Sequence, residues 1–272
     1  MTLGTSFLQH EIFMKKKYYF ILCSVPVLSL DVSLEISFYE FQKRLLLNIS
    51  SEDKKKLYLF KQYIDINNLL SFWSGREIDW RGNLHAKQLE EALLTDEFLP
   101  SFVFDFAKVY EDKSFRLKHF SCLPMRFLNE KIRATNGFLK WYFSEEKKQR
   151  LVFSALRCKM LKRDLSYELQ YEDKDDFLVK SLLEQSQADT LFLPKEFDTL
   201  KKIYEESFDK PLVLEQKLLK YKLKKIEEKE EIQPFFTIDH ILAYMAKLII
   251  VEDWFKLDEN TGKTIVEGLI ER

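Results

Sequence analysis

Glycine and proline are scarce, six of each in 272 residues, against a usual combined share of about 12%. Sandwiches, barrels and propellers turn about every 8–12 residues and rely on Gly, Pro and Asn to do so. This chain lacks that punctuation. A doubly wound nucleotide-binding fold needs clustered glycines beside the phosphates. Gly4, Gly75, Gly82, Gly137, Gly262 and Gly268 form no such cluster. Cysteine is also rare. Cys23, Cys122 and Cys158 are too few and too scattered for a disulfide framework, and they fit a reducing compartment. Charge of one sign is missing too: 43 Lys+Arg oppose 44 Asp+Glu, for a net charge of -1. Non-specific nucleic-acid binding rests on a basic excess, so nucleic acid is not an expected partner.

What the chain does have is apolar and aromatic residues, 46% and 15% of the total, with 24 Phe and 12 Tyr. That content excludes disorder, and the length allows a sizeable core. An all-α globular protein is the fold class that remains. No stretch reads as a spanning helix, because Ile238–Val251 contains Asp239, His240 and Lys247. Met14-Lys15-Lys16-Lys17 followed by Tyr18–Leu30 imitates a signal peptide. Pro26 splits its apolar run, however, and no small-x-small cleavage site follows. The reading is a cytoplasmic protein with an N-terminal extension over 1–14. A single helical domain follows over 15–272, with a subdivision near 170.

Local signals place the elements. Tyr18–Val25 reads as either a short N-terminal strand or a buried helix. Ser37-Phe38-Tyr39-Glu40 is a capping box opening a helix to about Asn48. Ser51 opens a second helix toward Tyr63, and Asp65 begins a short third one stopped by Gly75. Helices are expected over 84–94, 100–111 and 125–135, with Gly137 beyond the end of the last. Ser144 is expected to cap a helix to about Asp164. Further helices are expected over 176–187, 195–207, from Pro211 to Glu231, from Thr237 to about Phe255, and over 263–271. In the long C-terminal helix Ile238, Ile241, Leu242, Met245, Leu248 and Ile249 form an apolar stripe, widened by Tyr244, Val251 and Phe255, which marks a central helix.

Chemical motifs are thin. Gly262-Lys263-Thr264 ends like a phosphate loop, but Leu257 stands where the first Gly is required. His119 and Cys122 have ligand-like spacing without further ligands. Ser51-x-x-Lys54 and Ser144-x-x-Lys147 read as helix caps rather than catalytic pairs, and Asp173–Asp176 reads as an acidic loop rather than a cation site. No catalytic, cofactor or metal residue is assigned, and no cofactor is expected. Two features are sharper. Arg157 shares a helix face with Phe153, Met160 and Leu161, so its charge either snorkels outward or pairs with a buried carboxylate; it is assigned as a structural buried charge. Trp73 and Trp80 bracket the Gly75–Arg81 loop. Together with Arg81 and Asn83 they are the candidate partner-binding residues, since Trp and Arg are common interface anchors, with core packing the alternative for both tryptophans.

A set of residues carries a family resemblance: Lys17-Tyr18-Tyr19-Phe20, Asp65-Ile66-Asn67-Asn68-Leu69-Leu70, Asp79 with Gly82-Asn83, and Phe235-Phe236-x-Ile238-Asp239-x-Ile241-Leu242-Ala243-Tyr244-x-x-Lys247-Leu248. Over about residues 15–270 the chain resembles an uncharacterised bacterial family encoded among the subunits of V/A-type ATPases. Members stand in the place of the funnel-shaped central-stalk component that seats the shaft on the rotor ring. The resemblance implies a non-catalytic, funnel-like helical part at the cytoplasmic face of the membrane, coupling the rotor ring to the central shaft by protein–protein contact. A helical scaffold or adaptor with unrelated partners is the alternative.

Overall fold

Ser37 accepts from the backbone N–H of Glu40, and the Glu40 carboxylate returns to the Ser37 N–H, so the capping box forms as the sequence spells it. It opens one of thirteen α-helices among the described residues, which in this computed structural model are 18–188 and 190–257. In chain order the helices are α1 (Tyr19–Cys23), α2 (Phe38–Leu46), α3 (Ser51–Ser74), α4 (Ala86–Thr95), α5 (Ser101–Val109), α6 (Lys113–Lys118) and α7 (Cys122–Ala134). Then follow α8 (Gly137–Met160), α9 (Leu165–Glu168), α10 (Phe177–Glu184), α11 (Asp198–Ser207), α12 (Pro211–Glu231) and α13 (Ile238–Lys256). No strand occurs among the described residues, so the class is all-α. The helix expected over 263–271 and the Gly262–Thr264 motif lie outside the described residues.

Several expectations are corrected. Tyr18–Val25 is not a strand; it forms the short α1, held by the Tyr18 hydroxyl donating to Asp53 at 2.6 Å and the Tyr18 N–H donating to the Phe236 carbonyl at 2.6 Å. No new helix begins at Asp65. α3 runs unbroken for 24 residues from its Ser50 cap, because no Gly or Pro interrupts it and the Asp65 side chain bonds to a distant loop rather than to its own helix. Ser144 is no cap either. It lies inside α8 and donates to the carbonyl of Lys140 at 2.7 Å, a back-bond that a helix tolerates. Gly137 begins α8 rather than trailing α7. Its φ is +60°, and a Cβ there would overlap the carboxylate of Asp239, so both conformation and space require glycine.

The core forms around α13. Ile241, Leu242, Met245, Leu248 and Val251 are fully buried, and Ala243 and Ile250 extend the burial around the helix. At 19 residues it is about 28 Å long. Phe38 and Phe41 of α2, Ile66 and Leu69 of α3, Phe127 of α7 and Phe138 and Phe143 of α8 join it in one apolar cluster. A second cluster begins at Leu151 and gathers α8's C-terminal half with Leu165, Val179, Leu182, Leu200 and Tyr221. Between the two, residues 144–150 of α8 (Ser-Glu-Glu-Lys-Lys-Gln-Arg) are all polar. Their charges are answered across helices: Glu146 by Lys222 of α12 at 2.8 Å, Lys147 by Asp176 at 2.5 Å, and Lys148 by Glu196 at 3.3 Å. Glu172 faces the same belt. Burial pushes its carboxyl up to about 7 despite Lys147 and Arg150, with Asp176 and Asp173 adding to the rise.

Two outcomes follow from these placements. Gly137→Ala will lower stability by about 1–3 kcal/mol in urea unfolding, whereas Ser144→Ala will change it by less than about 0.5 kcal/mol. The folded state holds the Glu172 proton more tightly than the unfolded chain, whose carboxyl titrates near 4.5. This group's stabilising contribution is therefore complete below that value and lost as pH rises toward about 7. Urea midpoints of Glu172→Gln should match the wild type near pH 4.5 and exceed it at pH 8; equal midpoints at both pH values would refute the assignment.

Candidate functional site

The loop over 75–85 leaves α3 and returns to pack on it. Asn68 of α3 donates its amide to the Asp79 carbonyl and accepts from the Asp79 N–H, both at 2.8 Å. One turn earlier, Asp65 accepts from the Leu84 N–H at 3.1 Å and from the Asn83 amide at 2.8 Å. The i,i+3 spacing places both side chains on one face of α3. Gly82 passes so near that face that a Cβ would overlap the Asp65 carboxylate and stand 3.1 Å from Asn68 Nδ2. This close approach gives Gly82 its role.

Arg81 fixes the other side of the loop. Its guanidinium donates to Asp79 through Nε (2.8 Å) and Nη2 (2.7 Å), to Asp253 through Nη2 (2.7 Å), to Glu252 through Nη1 (3.3 Å) and to the Ile249 carbonyl (3.2 Å). Glu252 in turn accepts from the Phe38 N–H at 2.7 Å, capping the first turn of α2 from α13. One side chain thus joins the loop, α13 and, through Glu252, α2. Burial opposes the charge on Arg81, but Asp79 and Asp253 outweigh it and raise its affinity for the proton. Burial would raise Asp79 as well, yet its bonds to Arg81 hold it below the usual carboxylate range. Burial wins at Asp253 and at Asp65, whose carboxyls are pushed up despite Arg81 and the loop amides respectively.

The four candidate anchors separate in this setting. Trp80 is 49% exposed and meets Phe38 and Tyr39 edge-on, at centroid distances of 6.0 and 6.4 Å. Tyr39 is exposed too, so the pair forms a surface aromatic patch. Trp73 is only 5% exposed; it stacks on Phe106 at 5.8 Å under the Arg116 guanidinium, and is core. Arg81 is also 5% exposed and is a structural link, not a surface anchor. Asn83 spends its amide on Tyr58 and Asp65. Arg157, assigned as a buried charge, has a 53% exposed side chain and reaches Glu168 at 3.7 Å in solvent. Met160 and Leu161 beside it are exposed as well, so this stretch of the helix lies at the surface.

Beside the loop lies a groove of about 650 Å³ lined by Tyr63, Asn67, Ser71, Glu77, Trp80 and Lys256. Among the described residues no group of three or more His, Cys, Asp or Glu side chains has metal-holding geometry. His119 is engaged with the Tyr171 hydroxyl. Asp176 caps α10 and pairs with Lys147, and Asp173 pairs with Arg133 at 2.7 Å. No helix among the described residues is long and apolar enough to cross a membrane.

A family model described as "Protein of unknown function (DUF2764)" matches residues 14–272. The chain belongs to this family. It is 27% identical over 238 residues to an uncharacterized protein of Chlamydia trachomatis, covering 85% of this chain and 88% of the relative. A Chlamydia muridarum protein is 28% identical over 235 residues, and a Chlamydia pneumoniae protein 28% over 217. No solved structure matches the chain. Among the residues that carry the resemblance, Asp65, Asn68, Asp79, Gly82 and Asn83 clamp the loop in this member of the family.

Replacing Arg81 with Met leaves Asp79 and Glu252 without a paired cation and Asp253 with only Lys256 at 3.9 Å. The expected loss is about 3–5 kcal/mol, as for other broken buried pairs, read as a lowered urea midpoint. Adding Glu252→Gln and Asp253→Asn to that variant should recover part of the loss.

Proposed function

We propose that this family member is a non-catalytic part of a V/A-type ATPase, binding the rotor ring or the central shaft through the Trp80 loop. The observation that carries the reading is the contrast between Trp80 and Arg81. Adjacent residues are used oppositely: the guanidinium is buried in three carboxylates and the indole is turned outward beside Tyr39. A loop fixed this firmly presents its aromatic surface with little conformational entropy left to lose on binding, which favours docking. Hot spots in protein interfaces are enriched in Trp and Tyr set in such positions. The all-helical architecture supports a stalk-like part, and the resemblance to the family encoded among V/A-type ATPase subunits supplies the partner.

Affinity purification of the tagged full chain from the organism that makes it, followed by mass spectrometry, tests the reading. Ring or shaft proteins of the ATPase should co-purify, and Trp80→Ala with Tyr39→Ala should reduce their recovery by about tenfold or more. Circular dichroism would confirm that the variant keeps its helices. Recovery of unrelated proteins alone would overturn the ATPase assignment in favour of an adaptor.

A further inference from the structure

A second cavity, of about 150 Å³, lies where α8, α12 and α13 meet. It backs onto the groove beside the Trp80 loop, and Tyr142 and Ile249 belong to both walls. Its polar lining is unbalanced: four carboxylates (Glu145, Glu146, Glu215 and Asp253) face two ammonium groups (Lys222 and Lys225). The two cations are already engaged, Lys222 with Glu146 at 2.8 Å and Lys225 with Glu228 at 3.7 Å. Asp253 is held by Arg81 and Glu145 by Lys148. The one charge left over is the carboxylate of Glu215, an acceptor. Glu215 stands at the exposed rim. Gln149 also lines the cavity, is only 6% exposed, and has a buried carbonyl Oε1 with no hydrogen-bond partner. A buried acceptor of this kind is costly unless a donor reaches it.

The walls narrow the choice of donor. Trp141 and Tyr142 offer aromatic surface, and Leu219, Ile226 and Ile250 are aliphatic. Surplus carboxylate, an unmatched acceptor, aromatic rings and an aliphatic lining together fit one chemistry: an ammonium head with three N–H donors on a short alkyl stem. The cavity's size suits such a group. We infer that this cavity binds a primary alkylammonium group, from a free diamine or from the lysine side chain of a protein partner. The site does not depend on which complex the protein joins. Filling it would tie α8, α12 and α13 together at the polar belt that separates the two cores.

Isothermal titration calorimetry of the full chain tests the inference with three probes: 1,4-diaminobutane, Nα-acetyl-lysine methylamide, and 1,4-butanediol at matched ionic strength. At least one of the two amines should bind saturably, and the diol should not. Saturation by the diamine alone assigns a free amine, and by the lysine derivative alone a partner's side chain. Glu215→Gln, at the exposed rim, should weaken amine binding about threefold to tenfold without altering the fold, and Gln149→Leu should weaken it at least as much. Absence of saturable binding by either amine, equal binding of the diol, or unchanged affinity in both variants would overturn the proposal.

Discussion

The packing of this protein turns on one buried guanidinium. Arg81 sits among Asp79, Glu252 and Asp253, and its position determines that of the loop over 75–85, the C-terminal end of α13 and the start of α2. Burying a charge is costly unless it is paired and hydrogen-bonded. Here the pairing is nearly complete, with a further bond to the Ile249 carbonyl. The arrangement is specific because a guanidinium donates in a fixed planar fork. A lysine could not meet the same four acceptors.

That link explains why α3 carries Asp65 and Asn68 on an otherwise packing face. They are the opposing half of the clamp, gripping the loop backbone that Arg81 pulls toward α13. With both sides held, the loop turns Trp80 outward against Phe38 and Tyr39. Presentation of an aromatic surface is thus a by-product of polar bonds beneath it. The proposed role in docking follows from this rigidity.

The second organising feature is the polar run in α8. A helix of 24 residues that is apolar at both ends and charged in its middle cannot lie in one continuous core. Two apolar clusters form instead, with cross-helix ion pairs between them. The same belt holds the protein's less ordinary electrostatics, the carboxyl of Glu172 raised by burial and the acceptor-rich cavity at Gln149.

Fold class and most helix positions are legible in the sequence. Scarce Gly and Pro, the capping box at Ser37, Pro211 at the head of α12 and the apolar stripe of α13 are local signals, read by the first turns and faces of the helices they specify. The sequence also pointed to the loop holding Trp80 and Gly82. It left Trp73 between core and surface and Arg157 between snorkelling and a buried pair, and it did not show that Arg81 is buried, since burial depends on what lies opposite. Asp65 looked like a helix start, and its actual use became visible only once Leu84 and Asn83 were beside it. Glu252 and Asp253 gave a faint signal, two acids closing an apolar stripe, but their cation lies more than 170 positions earlier in the chain. Local propensity acts over a few residues, so the chain could announce its helices, whereas only tertiary packing decided which charges meet.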